Sequence, residues 1–231
     1  NISTYCGPGD GCEQGLNLCN GVGYQTPHSV LLCQVPTGTG SGLDIVTSID
    51  YQMATQLSAF SYAQPQPALT FPSYSATTGS GVVTIFGANF GDKDYTPAAS
   101  IGSTACQEVI WTSDSLISCQ LAPGVGKSLG LEVESNSQTG SRGNSFSYRA
   151  PRVTSIFPFG GITAGGYPAT IYGNNFGTAD YTPLASLGDF ACPSTVYTSD
   201  TSVKCDIPPG AGVQYVLVTV AGQQPGPDSD I

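Results

Sequence analysis

Eight cysteines are the residues of this 231-residue chain best equipped for chemistry, and their spacing indicates which chemistry. Cys33, Cys119 and Cys205 follow one another at a fixed interval of 86 residues, and Cys106 and Cys192 share that interval. Cysteines that recur in matched pairs read as disulfides formed in an oxidising compartment, which places the chain outside the cell or on its surface. The expected pairs are Cys106 with Cys119, Cys192 with Cys205 and Cys19 with Cys33, which leaves Cys6 and Cys12 for each other. Closing one such loop contributes about 3 kcal/mol in the chain-entropy model. Zinc is the rival use of cysteine, but CxxC spacing does not occur and His28 is the sole histidine, so no metal site is expected.

Other reactive groups are sparse. A hydrolase triad would need His28, yet the matching positions hold Ser113-Asp114 and Ser199-Asp200, so the site reads as a variable turn and no catalytic residue is assigned. Asp92 and Asp94 could approach a calcium ion, but Thr178 stands one interval after Asp92, so the paired carboxylate is absent from the second copy. Glu132 and Glu134 share one face of a strand and read as a solvated edge. Gly-Thr-Gly and Gly-Val-Gly runs near 36–42 and 124–126 lack the strand-to-helix setting of a nucleotide site and read as hairpin turns; no cofactor is expected. Trp111 aligns with Tyr197 and reads as a core or disulfide-covering aromatic. Covalent glycans are the expected modification, at Asn1 in the sequon Asn1-Ile2-Ser3 and at Thr26, Thr96 and Thr182, each beside a proline.

The elements carrying these residues repeat with them. Asn89 and Asn175, Tyr95 and Tyr181, Pro97 and Pro183, and Tyr62 and Tyr148 keep the same interval, and the alignment runs without a gap from about residue 33 to the end. A fixed period of this length marks an array of small modules. Short alternating runs such as Val82–Phe86, Leu129–Glu134 and Tyr215–Val220, bounded by Gly and Pro turns, predict an all-β fold of antiparallel sandwiches without amphipathic helices. With six Lys and Arg and a net charge of −10, the chain lacks the cationic patches that nucleic acid or an anionic membrane surface would need. No run of 18 apolar residues occurs, so membrane insertion is not expected.

The strings Ser155-Ile156-Phe157-Pro158-Phe159-Gly160-Gly161 and Gly165-Gly166-Tyr167-Pro168-Ala169-Thr170-Ile171-Tyr172-Gly173-Asn174-Asn175-Phe176-Gly177 resemble the opening of IPT/TIG domains. The downstream stretch Thr198–Gly210 is similar to the paired-cysteine version found in large secreted repeat proteins. The resemblance implies tandem immunoglobulin-like sandwiches like those of plexin-type and fibrocystin-like surface proteins, and it is nearly silent on activity. The glycine of each Asn-Phe-Gly turn suits a positive φ, with the Phe dropping into the core, and Asp94 and Asp180 head Asx-type turns.

Three modules are expected: an incomplete first one over 1–64, a second over 65–150, and a third over 151–231 whose closing strand is missing, because Ile231 aligns with Ser145. A sandwich without an edge strand exposes apolar core. The segment Asn1, Ile2, Ser3, Thr4 and Tyr5 resembles Asn144–Tyr148, which suggests that one subunit donates a strand to the next in a head-to-tail filament. Short proline-containing junctions at 63–67 and 149–151 would restrict bending. The expected function is therefore a structural subunit of an extracellular filament or coat. The alternative is an adhesion or receptor ectodomain binding a protein or glycan through its sandwich loops.

Overall fold

The computed structural model describes residues 2–6, 33–49 and 51–225. All its regular elements are β-strands, in keeping with the alternation of the sequence. In the segment expected to form an incomplete first module, β1 (Ile2–Cys6) runs parallel to β2 (Leu43–Ile49), which pairs antiparallel with β3 (Gln52–Phe60). The second module opposes two sheets. One has the order β4 (Gln66–Phe71), β6 (Val82–Ala88), β10 (Leu116–Gln120), β9 (Glu108–Ser113). The other runs β5 (Tyr74–Ser75), β12 (Gln138–Tyr148), β11 (Leu129–Ser135), β7 (Ala98–Ile101), β8 (Thr104–Ala105). The third module repeats the first of these sheets as β13 (Arg152–Phe157), β14 (Pro168–Asn174), β18 (Ser202–Asp206) and β17 (Thr195–Ser199). Its facing sheet holds only β16 (Phe190–Ala191), β15 (Leu184–Leu187) and β19 (Val216–Thr219) among the described residues.

Period-two alternation builds each core. On β6, Val83 and Ile85 point inward, and on β11 Leu131 and Val133 do so while Glu132 and Glu134 face solvent. Phe90 and Phe176 of the two Asn-Phe-Gly turns are fully buried in their respective cores. Gly91 (φ 119°) and Gly177 (φ 97°) supply the left-handed backbone these turns need, and the preceding Asn89 and Asn175 are left-handed as well. Disulfides Cys106–Cys119 and Cys192–Cys205, with Cα atoms 5.5 and 5.7 Å apart, staple each core from one side. Cys6 belongs to β1 and Cys33 is exposed; Cys12 and Cys19 lie outside the described residues, and so do the pairings that involve them.

The interval is not constant to the end. Leu131 stands opposite Ile101, but its counterpart opposite Leu187 is Val216, so β19 follows β11 at 85 residues rather than 86. The missing residue falls just before Gln214, because Gly102 bonds to Gly130 O while Gly188 bonds to Tyr215 O. A surface loop can lose a residue without disturbing the sheets it joins. The ungapped alignment is therefore corrected, and Ile231 corresponds to Phe146 rather than to Ser145.

Candidate functional site

The residues that the sequence shares between modules converge on the junctions. In the second module Tyr148 closes β12 and lays its ring over the Gly124-Val125-Gly126 loop, with its hydroxyl donating to Ala122 O at 2.8 Å and its amide to Gly126 O at 2.9 Å. A β-carbon at Gly124 would lie 2.6 Å from that ring, so only glycine lets the tyrosine seat. The first module does the same one interval earlier: Tyr62 donates through its hydroxyl to Pro36 O at 2.8 Å, its amide to Gly40 O at 2.9 Å, and its ring crosses Gly38. Burial raises the pKa of both tyrosines; the second cause is the Asp92 charge for Tyr62 and Tyr181 for Tyr148.

A glutamine from the following module then locks each tyrosine and loop together. Gln138 accepts from Gly40 N at 2.8 Å and donates to Tyr62 O at 2.9 Å. Gln223 accepts from Gly126 N at 3.0 Å and donates to Tyr148 O at 2.8 Å. Both glutamines are buried, so these bonds form away from competing water. The Gly-x-Gly runs, expected as simple hairpin turns, are thus the loops on which the next module docks.

Side chains around each clamp differ. At the first junction Thr37 donates to Asp92 Oδ2 at 2.7 Å, Tyr95 donates to Asp92 Oδ1 at 2.9 Å, and Asn136 reaches Thr39. The bonds from Thr37 and then Tyr95 hold the Asp92 carboxyl below its usual range. At the second, Thr77 donates to Asp200 Oδ1 at 2.6 Å, an oxygen that also accepts from Gly177 N at 2.8 Å, and Val125 packs against the core of the third module. Asn89 and Asn175 also anchor the connecting segments, donating to Gln64 O and Ala150 O.

Thr96 and Thr182 are exposed at left-handed backbone positions (φ 53° and 52°), each held by an Asx turn from Asp94 or Asp180. Their hydroxyls donate to the preceding carbonyl. Trp111 packs against the core of the second module with its Nε1 unpartnered, whereas Tyr197 donates to Gly177 O at 2.9 Å. Asn1, Thr26 and His28 lie outside the described residues. Ile2–Cys6, which contains four of the five proposed assembly residues, is the strand beside β2.

Among the described residues, two apolar features lie away from these contacts. Leu69 and Phe86 are neighbours in register on the outer face of the β4–β6–β10–β9 sheet and are 52% and 38% exposed; Phe71, Val82 and Ile110 extend the patch. In the third module a cavity of about 230 Å³ opens beside β19, lined by Ile156, Tyr167, Leu187, Ile207, Gly210 and Val216.

The sequence matches the IPT/TIG domain family over residues 68–148 and 151–230. It is 28% identical to Plexin-2 of Caenorhabditis briggsae over 165 residues, covering 69% of this chain and 9% of that protein. It is 31% identical to human Fibrocystin-L over 183 residues, covering 76% of this chain and 4% of the relative. The chain thus spans less than a tenth of the length of either. A crystal structure of a surface glycan-binding protein from Prevotella bryantii aligns with a TM-score of 0.48 at 14% identity, over 72% of this chain and 42% of the other.

Proposed function

Since the chain belongs to the IPT/TIG domain family through residues 68–148 and 151–230, we propose that it is a non-catalytic segment of an extracellular receptor or adhesion ectodomain. The observation that carries this reading is the recurrence of one clamp at two junctions: tyrosine over a Gly-x-Gly loop, bridged by a buried glutamine. Such joints hold modules in set orientations and leave the outer sheet faces free, a design for displaying binding surfaces at fixed spacing. The disulfides suit an oxidising exterior. The Leu69–Phe86 patch is the face we assign to a protein or glycan ligand, since contiguous exposed apolar surface on a sheet is otherwise a liability. Glycans on the exposed Thr96 and Thr182 hydroxyls would add solubility to a chain with so few charges.

A second reading, a filament whose subunits exchange strands through Asn1–Tyr5, draws on the unpaired outer edge of β19 among the described residues. In it, β1 would leave β2 to pair with a neighbour. Titration of the labelled chain over arrays of extracellular proteins and glycans, with electron microscopy of the same sample, separates the two. Saturable binding by discrete particles, lost in Leu69→Ser and Phe86→Ser, supports the ectodomain; regular filaments without saturable binding would replace it with the filament.

A further inference from the structure

An antiparallel sheet packed on one side alternates apolar residues inward with polar residues outward. The four-stranded sheets of the second and third modules break this rule at the same places. In the second, Phe71, Thr84, Ser118 and Ile110 stand side by side across β4, β6, β10 and β9. One interval on, Phe157, Thr170, Lys204 and Val196 form the same row across β13, β14, β18 and β17. Phe86, two residues along β6 from this row, is matched by Tyr172 on β14. Phe71 and Phe157 are 70% and 66% exposed, and Phe86, Tyr172, Ile110 and Val196 are exposed with them. The two leucines flanking Phe86 in register, Leu69 and Leu116, become Ser155 and Ser202 beside Tyr172. Outward positions on this sheet are therefore free to change, yet two aromatics and one β-branched aliphatic recur. The charges differ as well. Glu108 is the sole charged residue in the strands of the second module's sheet, which makes that face negative by one charge. The third module's sheet has Arg152 and Lys204 against Asp206, a face positive by one charge in a chain whose net charge is −10.

We propose that the chain pairs with a second copy of itself, the outer face of the second module in one copy lying on the outer face of the third module in the other. In a two-fold arrangement the contact is made twice, because the third module of the first copy then meets the second module of its partner. The aromatic rings and their β-branched neighbours bury one another, which removes the exposed apolar surface of both sheets at once. Charge complementarity selects this crossed pairing. Laying like face on like would oppose Glu108 to its own copy and the net-positive third face to its own copy, whereas the crossed arrangement sets the negative face on the positive one. The inference deepens the ectodomain reading and rests on its premise that the outer sheet face is the binding surface; it names a second copy as the partner.

Sedimentation velocity of the full chain over a concentration series tests the pairing. A reversible equilibrium between monomer and dimer is expected, tighter at low salt than at high salt. Phe71→Ser and Phe157→Ser should each weaken it at least about tenfold, as for central aromatic anchors, while the melting curve of the dilute chain stays that of the wild type because both rings are exposed. Glu108→Lys alone makes both faces positive and Lys204→Glu alone makes both negative, so each should weaken the dimer by about three- to tenfold over its two contacts. The two substitutions together exchange the signs and should return the affinity to near that of the wild type. A chain that stays monomeric at every concentration, or a dimer indifferent to Phe71→Ser and Phe157→Ser, would overturn the proposal. So would a dimer that the paired charge exchange does not restore. Should self-pairing fail while an extracellular protein or glycan still binds saturably and loses that binding in Leu69→Ser and Phe86→Ser, the second copy is excluded and the ectodomain reading stands.

Discussion

Replacing Gln223 with alanine tests the clamp directly. The side chain is 5% exposed and makes two bonds across the junction, one from the buried Gly126 amide and one to the carbonyl of Tyr148, itself 2% exposed. Truncation leaves both backbone groups without a partner, and each such group costs about 1–3 kcal/mol. Water admitted by the missing side chain recovers part of this, so a loss of about 2–4 kcal/mol is expected, a melting shift of roughly 8 °C or more for a module of this size. Calorimetry of the full chain reads the shift. A double-mutant cycle with Tyr148→Phe, which keeps the carbonyl and removes the hydroxyl bond to Ala122, separates the clamp from the ring. Gln223→Glu sharpens the test: at neutral pH a carboxylate can accept from Gly126 but cannot donate to Tyr148 O. Burial then raises the folded pKa of the new acid above its unfolded value near 4. This variant should be most stable below about pH 4 and lose stability as pH rises through the raised value. A Gln223→Ala shift under about 0.5 kcal/mol, within the scatter of surface substitutions, would refute the reasoning.

Four further outcomes are expected. Gly124→Ala forces a β-carbon against the Tyr148 ring and should cost about 1–3 kcal/mol by overpacking, measured by chemical denaturation, while Gly210→Ala leaves stability unchanged. Removing Cys192 and Cys205 together should cost about 2–4 kcal/mol and lower the melting of the third module selectively. In acid, the bonds that lower the Asp92 pKa give the first junction a contribution present above about pH 4 and lost as pH falls through the lowered value; Thr37→Val should diminish that acid dependence in equilibrium unfolding. In alkali, Tyr148 and Tyr197, whose pKa values burial raises, contribute stability fully present below about pH 10 and lost as pH climbs through the raised values, a loss that absorbance at the tyrosinate band would accompany.

Much of this architecture was legible in the residues. Alternation within Val82–Phe86 and Leu129–Glu134 identified strands and their buried faces, and matched cysteines marked the places where Cys106–Cys119 and Cys192–Cys205 close. Phe90 and Phe176 carried their burial in the Asn-Phe-Gly spacing itself. The clamp was not legible, because Gln138 and Gln223 are 85 residues apart rather than 86 and fall out of register once the loop before Gln214 shortens. A periodic search aligned to cysteines passes over them. Nor does a Gly-x-Gly run announce an intermodule contact, since its role depends on a tyrosine more than twenty residues downstream and a glutamine in another module. The paired role of Asp114 and Asp200 was equally hidden: they brace the Asn-Phe-Gly turns through Gly91 N and Gly177 N, a contact across a strand pair that spacing alone does not encode.

The middle residue of each Gly-x-Gly loop gives the joints an address. The glutamine of the clamp grips only backbone atoms, so it would close on any module with the same tyrosine and Gly-x-Gly loop, but what stands at the centre of that loop changes along the chain: Thr39, then Val125, then Ala211. The partner changes in step. Thr39 is met by Asn136, whose counterpart at the next joint is Ala221, matched in its left-handed backbone (φ 47° in both), while Val125 packs against the apolar core of the third module. A polar key therefore has a polar lock and an apolar key an apolar one, so the order of modules is written into pairs of side chains while the bolt that fastens them is common to all.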